Sequence, residues 1–281
     1  MNFITDHKIP LGHWMEIVVD WLTINAATLF DAISIFLETI IMSLVSVFQW
    51  LPPAVPIIVT AALAWYLHRK LSLVVFIIAS LLLILNMGYW QEMLETFVLV
   101  FAATTISVLI GVPLGIMAAH RPWLYTLMRP ILDLMQTVPT FVYLIPTLVL
   151  FGLGIVPGLI STIIFAIAAP IRLTYLGIIK VPDELVEAGK AFGASRMKLL
   201  FKVELPAALP SIMAGVTQCI MLSLSMVVVA ALVGADGLGK PVIRALNTVN
   251  ISQGFEAGLA IVLVAIILDR LCKTPNQAKE G

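Results

Sequence analysis

Charge is what this chain has least of. Asp, Glu, Lys and Arg make up 11% of its 281 residues, where a soluble domain carries about a quarter. So little charge cannot cover an apolar core in water. With 61% hydrophobic residues and a mean hydropathy of +1.08, the chain is expected to be dissolved in lipid. Sixteen basic and sixteen acidic residues cancel to a formal net charge of zero, so no bulk field argues for nucleic acid. Cysteine is also scarce. Cys219 and Cys272 lie in or beside apolar stretches and form neither a disulfide framework nor a metal-ligand spacing; Cys219 reads as a small packing residue. No metal site is expected. The four histidines, His7, His13, His68 and His120, fall outside the apolar runs. No His-Glu-x-x-His or Gly-x-Ser-x-Gly occurs, which argues against an intramembrane enzyme. The first ten residues are polar and no small-residue cleavage site follows a short apolar core, so no cleavable signal peptide is expected.

Long apolar runs are what the chain has instead. A spanning helix needs about 20 apolar residues. Seven segments are read as spans: 54–67, 71–87, 94–119, 138–156, 157–179, 208–234 and 256–271. The basic clusters are His68-Arg69-Lys70, His120-Arg121 with Arg129, Lys180 through Lys202, and Arg270 with Lys273 and Lys279. Seven spans place all of them on one side, which the positive-inside bias makes cytoplasmic. The N-terminus is then outside and the C-terminus inside. Residues 26–50 are treated apart. Thr28, Asp31, Ser34, Glu38, Ser46 and Gln49 recur at helical steps, with Met42 and Ser43 filling a gap, and form a polar stripe. That stripe predicts an amphipathic helix lying in the interface or packed around the bundle, because carboxylates at mid-membrane are costly. If it spans instead, there are eight spans and the N-terminus is inside. The expected organisation is a tail at 1–50 carrying this helix, a two-helix hairpin at 51–91, a transmembrane core at 92–271 and a cytoplasmic tail at 272–281.

Several spans look interrupted. Gly111 and Gly115 flank Pro113, a spacing that lets another helix approach closely while the proline kinks the span. Pro139, Pro146 and Pro170 break other apolar segments, and irregular backbone in lipid needs protein or a water-filled cavity to cover it. Asp133 and Gln136 precede Pro139, and Arg172 follows Pro170. Ionisable residues within spans are candidates for a translocation path. The competing reading is that Asp133 and Arg172 sit near the cytoplasmic ends, where they snorkel or pair structurally.

One polar loop, 182–206, stands between two spans. Pro182-Asp183-Glu184 starts a helix with acidic residues at its positive end. Gly193 stops it, and Ser195 caps a second helix over 196–204, after which Pro206 and Pro210 lead into the next span. A helix, a sharp turn and a helix would lie across the membrane face. Glu187 offers a carboxylate to a basic residue on a partner, and Ala188, Gly189 and Gly193 keep the surface small. No energy source lies in this chain. Gly234-Ala-Asp-Gly-Leu-Gly239-Lys240 imitates a phosphate-binding loop, but Pro241 stands where Ser or Thr would hold magnesium and no strand precedes it.

The loop reads Glu187-Ala188-Gly189, three residues, Gly193, nine residues, Val203, one residue, Leu205-Pro206. This spacing resembles the EAA loop of ABC-importer permeases, with Gly189 in place of the third motif residue and Val203 in place of Ile. Three further stretches resemble the permeases for glycine betaine, proline betaine and choline: Pro130 to Pro146, Leu224 to Gly239, and Glu256-Ala-Gly-Leu-Ala-Ile, with Gly88-Tyr-Trp90. The resemblance implies an all-α polytopic membrane protein with about seven transmembrane helices in a type I ABC importer core, plus the N-terminal amphipathic helix. It implies a bacterial inner-membrane subunit that is present twice and imports choline or glycine betaine by alternating access. A cytoplasmic ATPase would carry ATP and magnesium, leaving no cofactor in this chain, and an extracytoplasmic binding protein would deliver substrate. By the same resemblance Glu187, Ala188, Gly189, Gly193, Leu205 and Pro206 form the ATPase-coupling segment. Asp133, Gln136, Arg172 and Tyr143 are the path candidates. A quaternary ammonium binds best to aromatic faces; Phe141, Tyr143 and Tyr175 are the loosely placed aromatics near the broken helices, and a cage would sit more naturally on the binding protein. The alternatives are an importer of the same architecture for another solute, such as an amino acid or a metal, and an ion-driven carrier, which would need ion ligands and inverted repeats.

Overall fold

The computed structural model describes residues 10–273. His7, Lys279 and the tail 274–281 lie outside the described residues. Among the described residues every regular element is helical. In chain order they are α1 (Leu11–Asn25), α2 (Ala27–Trp50), α3 (Ala54–His68), α4 (Leu71–Asn86), α5 (Trp90–His120) and α6 (Pro122–Thr137). A 3-10 turn (Thr140–Tyr143) leads to α7 (Leu144–Phe151), α8 (Ile155–Ala166), α9 (Ala168–Ile179), α10 (Asp183–Ala191) and α11 (Arg196–Leu199). A π turn (Leu200–Glu204) then joins α12 (Leu205–Ala230), followed by α13 (Gly239–Thr248) and α14 (Ile251–Cys272).

The centre of the bundle is the pair α8–α9. Together they make one apolar run, Ile155–Ile179, of which 72% of the most apolar window is buried, against 11% for α2. The helix is interrupted only at Ile167, because Pro170 has no N–H for the Ala166 carbonyl and its ring crowds that turn. Glycines let the flanking helices reach α9. A Cβ on Gly115 of α5 would lie 2.7 Å from the Ile171 carbonyl oxygen and 2.7 Å from Thr174 Cβ, and one on Gly111 would lie 3.0 Å from Pro170 Cγ. From the other side, a Cβ on Gly215 of α12 would lie 3.0 Å from Leu173 Cβ. The Gly111–Gly115 spacing therefore does what close helix contact requires, and α5 runs through Pro113 as one helix.

Segment 138–156 does not form the single span that its hydropathy suggests. Helix α6 and the Thr140–Phe151 segment meet at a bend of 109°. Val138 before Pro139 is extended, with ψ 133°, as the clash with a following proline ring dictates, and the Tyr143 hydroxyl donates to the Met135 carbonyl at 2.8 Å across the bend. Buried Thr147 and Ser161 pair at 2.7 Å and tie α7 to α8. Helices α3 and α4 have 15 and 16 residues, short of the about 20 that cross the hydrocarbon. They form a hairpin turned by Arg69, whose φ is +49°.

Five helices are long and apolar enough to cross a membrane, or six with the bent pair counted as one. One of the five is α2. Its packed stripe carries Ile41, Val45 and Phe48, and the carboxylates Asp31 and Glu38 are exposed. Phe30 meets Phe151 edge-on at 5.3 Å and Phe48 meets Phe97 at 5.8 Å. These contacts, about 27 Å apart along the axis at helical rise, fall on α7 and α5, so α2 runs across the flank of the bundle.

The two ends of the bundle are fixed by four contacts. Leu238 N–H donates to Thr96 Oγ at 2.8 Å, which sets the start of α5 beside the end of α12. At the other end, His120 closes on Glu204, and His68 Nε2 lies 2.7 Å from the Lys273 carbonyl. Gly154 N–H donates to the Val233 carbonyl at 2.9 Å, which places the start of α8 at the Thr96 end.

The glycine contacts make a direct prediction. Gly115→Val forces a side chain against α9 and should destabilise the fold by about 1–3 kcal/mol, read as a lower melting temperature of the detergent-solubilised protein. Gly258, which faces open space, should tolerate Ala with no loss.

Candidate functional site

Helix α10 forms as its sequence dictates. Asp183 and Glu184 occupy the first turn and Lys190 the last, each complementing the helix dipole. It ends in a Schellman closure: Ala194 N–H donates to the Gly189 carbonyl at 3.1 Å and Gly193 N–H to the Lys190 carbonyl at 2.9 Å. Gly193 takes φ +72° to do so. Ser195 then caps α11, its Oγ 3.5 Å from Lys198 N.

The second helix does not stop at Glu204, as the two prolines suggest. It runs from Arg196 to Val233 as one 38-residue helix. Pro206 has no N–H for the Lys202 carbonyl, and the π turn just before it takes up the mismatch. The hairpin is thus a short helix folded back on the root of a membrane helix.

The motif residues divide into two sets. Gly189 faces inward: a Cβ there would lie 2.6 Å from Leu199 Cδ1 and 3.5 Å from Val203 Cγ2. Its smallness serves the closure of the hairpin on itself. Leu205 packs with Ile116, Ala119 and Ile178, anchoring the root. Glu187 and Ala188 face outward and are exposed, as is Pro206. Beside them Phe192 is 92% exposed and Met197 63%, an apolar surface next to a carboxylate.

Two residues that the sequence did not single out hold the hairpin to the bundle. Glu204 is buried, and its Oε2 lies 2.9 Å from His120 Nε2 at the end of α5. His120 Nδ1 lies 2.9 Å from the Ile116 carbonyl. The available signal was the acid directly before Leu205-Pro206, where the chain enters apolar surroundings.

The path candidates are brought together in part. Arg172 Nη2 on α9 donates to Asp133 Oδ1 on α6 at 2.5 Å, so these two pair with each other. Gln136 is half-buried one turn further along α6. Tyr143 is committed to the Pro139 bend through its hydroxyl. Tyr125 and Tyr175 stack at 3.5 Å, while Phe141 is exposed. The three aromatics named from the sequence do not converge on a cage. In the Gly234–Lys240 stretch, a Cβ on Gly237 would lie 2.6 Å from Thr96 Oγ of α5 and one on Gly239 would meet the Val227 carbonyl oxygen of α12, and Lys240 pairs with Asp236; these glycines serve packing.

A glycine-packed bundle of apolar helices, with a hairpin rooted in one of them and presenting an exposed surface at one end, defines a polytopic transport subunit. The chain belongs to the family of binding-protein-dependent transport system inner membrane components, whose pattern matches residues 111–272. It is 44% identical to the glycine betaine transport system permease protein OpuAB of Bacillus subtilis (strain 168), over 98% of this chain and 97% of that protein. It is 43% identical to the glycine betaine/carnitine transport permease protein GbuB of Listeria monocytogenes, over 96% of each. Among solved structures, a chain of the MetNI methionine ABC transporter in an inward-facing conformation matches with a TM-score of 0.56 and 26% identity, covering 62% of this chain and 88% of that one.

The left-handed turn predicts a graded series. Gly193→Val should cost about 1–2 kcal/mol at the hairpin and speed tryptic cleavage there in membrane vesicles. Gly193→Asn, which tolerates this conformation better, should be cut more slowly than Val.

Proposed function

We propose that this chain is the permease subunit of an ATP-driven, binding-protein-dependent importer of a quaternary ammonium compound, glycine betaine or choline. The observation that carries the reading is the hairpin: its inner residues, Gly189 and Leu199, close it, and its outer residues, Glu187 and Phe192, are left for a partner. The printed names of relatives alike over nearly the whole chain support the substrate class, naming glycine betaine for both OpuAB and GbuB.

The partner at the hairpin is a cytoplasmic ATPase, which holds ATP and magnesium; a second copy of this chain completes the path, and an extracytoplasmic protein delivers substrate. Glu187, Ala188, Gly189, Gly193, Leu205 and Pro206 form the coupling segment, and Asp133, Gln136, Arg172 and Tyr143 border the path. The hairpin end of the bundle carries His68, Arg69, Lys70, Arg121, Lys180, Arg196, Arg270 and Lys273. The positive-inside bias therefore makes this end cytoplasmic and the α13 end external.

Uptake of radiolabelled glycine betaine and choline tests the reading in cells co-expressing the three components. Wild type should import at least one, and Glu187→Arg should lower uptake about tenfold or more with membrane levels kept, as reversal of a buried interfacial charge does. If neither compound enters although the complex assembles, the substrate class fails. Unchanged uptake in the variant refutes coupling through Glu187.

A further inference from the structure

The hairpin end of the bundle holds a second polar feature, away from α10. A crevice of about 330 Å³ opens between the α3–α4 turn and the end of α14. Its polar wall is His68, Lys70, Ser72, Arg270 and Lys273; its apolar wall is Leu73, Phe76 and Ile266. Three features make it suited to an anion. Lys70 and Arg270 make no ion pair among the described residues. The 16-residue α4 begins here with no side-chain cap and no acid in its first turn, so its first N–H groups and its dipole favour negative charge. Asp269 is the acid at the rim, and Lys273 Nζ binds it at 2.8 Å, which leaves the remaining cations in excess.

We propose that this crevice binds a phosphate-bearing anion, with the phosphate between Lys70, Arg270 and the start of α4. The apolar wall favours a phospholipid over a free ion. Leu73, Phe76 and Ile266 continue the crevice away from the charged groups along α4 and α14, where an acyl chain would lie. An anionic lipid of the inner leaflet presents this pairing of phosphate and chain. The site would tie the α3–α4 hairpin to the helix that closes the bundle. The proposal rests on the membrane reading above only in taking this end as cytoplasmic.

Native mass spectrometry of the full-length protein, purified with its ATPase, tests the site. Wild type and Lys70→Ala/Arg270→Gln would be exchanged into detergent containing phosphatidylglycerol or phosphatidylcholine. Both altered side chains are solvent-exposed, so folding should hold, and Lys240→Ala at the opposite end serves as the control. Wild type and the control should retain phosphatidylglycerol and release phosphatidylcholine, and the double variant should retain it about tenfold less, at roughly one order of magnitude for two lost cations near an anionic headgroup. Equal retention in the double variant and wild type overturns the proposal, as does equal retention of the two lipids. A competing arm adds inorganic phosphate. Displacement of phosphatidylglycerol at millimolar phosphate, lost in the double variant, assigns the site to the phosphate group alone; no displacement assigns it to the intact lipid. None of these readouts depends on transport, so failure here and failure of the importer reading are separable.

Discussion

The structure depends on how closely α5 and α12 approach α9. Lipid tails are as apolar as leucine, so burial of apolar surface does not by itself hold helices together in a membrane, and packing at short range has to. Gly111 and Gly115 on one side and Gly215 on the other bring neighbouring backbones against Pro170, Ile171 and Leu173. The other side of α9 carries Arg172, which binds Asp133 on α6, and Tyr175, which stacks on Tyr125. Position on α9 thus sets the location of α6 and, through the Pro139 bend, of α7.

The hairpin at the end of α9 inherits that order. It is closed from within by Gly189 against Leu199 and Val203 and by the left-handed Gly193, and rooted by Leu205 and the Glu204–His120 contact. Because α11 continues into α12 through a π turn, a force on the exposed Phe192 and Glu187 surface acts on a helix that lies against α9. The hairpin and the glycine-packed centre are thus joined by one continuous helix.

Several polar groups of the bundle are paired within it. Asp133 with Arg172, Thr147 with Ser161, and the Tyr143 hydroxyl with the Met135 carbonyl each satisfy a group that lipid would leave unsatisfied. They hold broken backbone in place. The aromatics named from the sequence form no cage: Tyr143 is held at the Pro139 bend, Tyr175 stacks on Tyr125 and Phe141 is exposed.

The sequence by itself determined the membrane character, the helical class, the spans around α5, α8–α9, α12 and α14, and the polar hairpin with its Gly193 turn. Each follows from local rules: hydropathy over about 20 residues, the glycine need of a left-handed cap, and a fixed motif spacing. Tertiary structure alone decided the rest. Hydropathy cannot see a bend, so 138–156 read as a span although Val138-Pro139 turns it by 109°. Residue type cannot say which way a small residue faces, so Gly189 read as partner surface although it touches Leu199. The Glu204–His120 and Asp133–Arg172 contacts join residues 84 and 39 positions apart, and such pairings exist only once helices have packed.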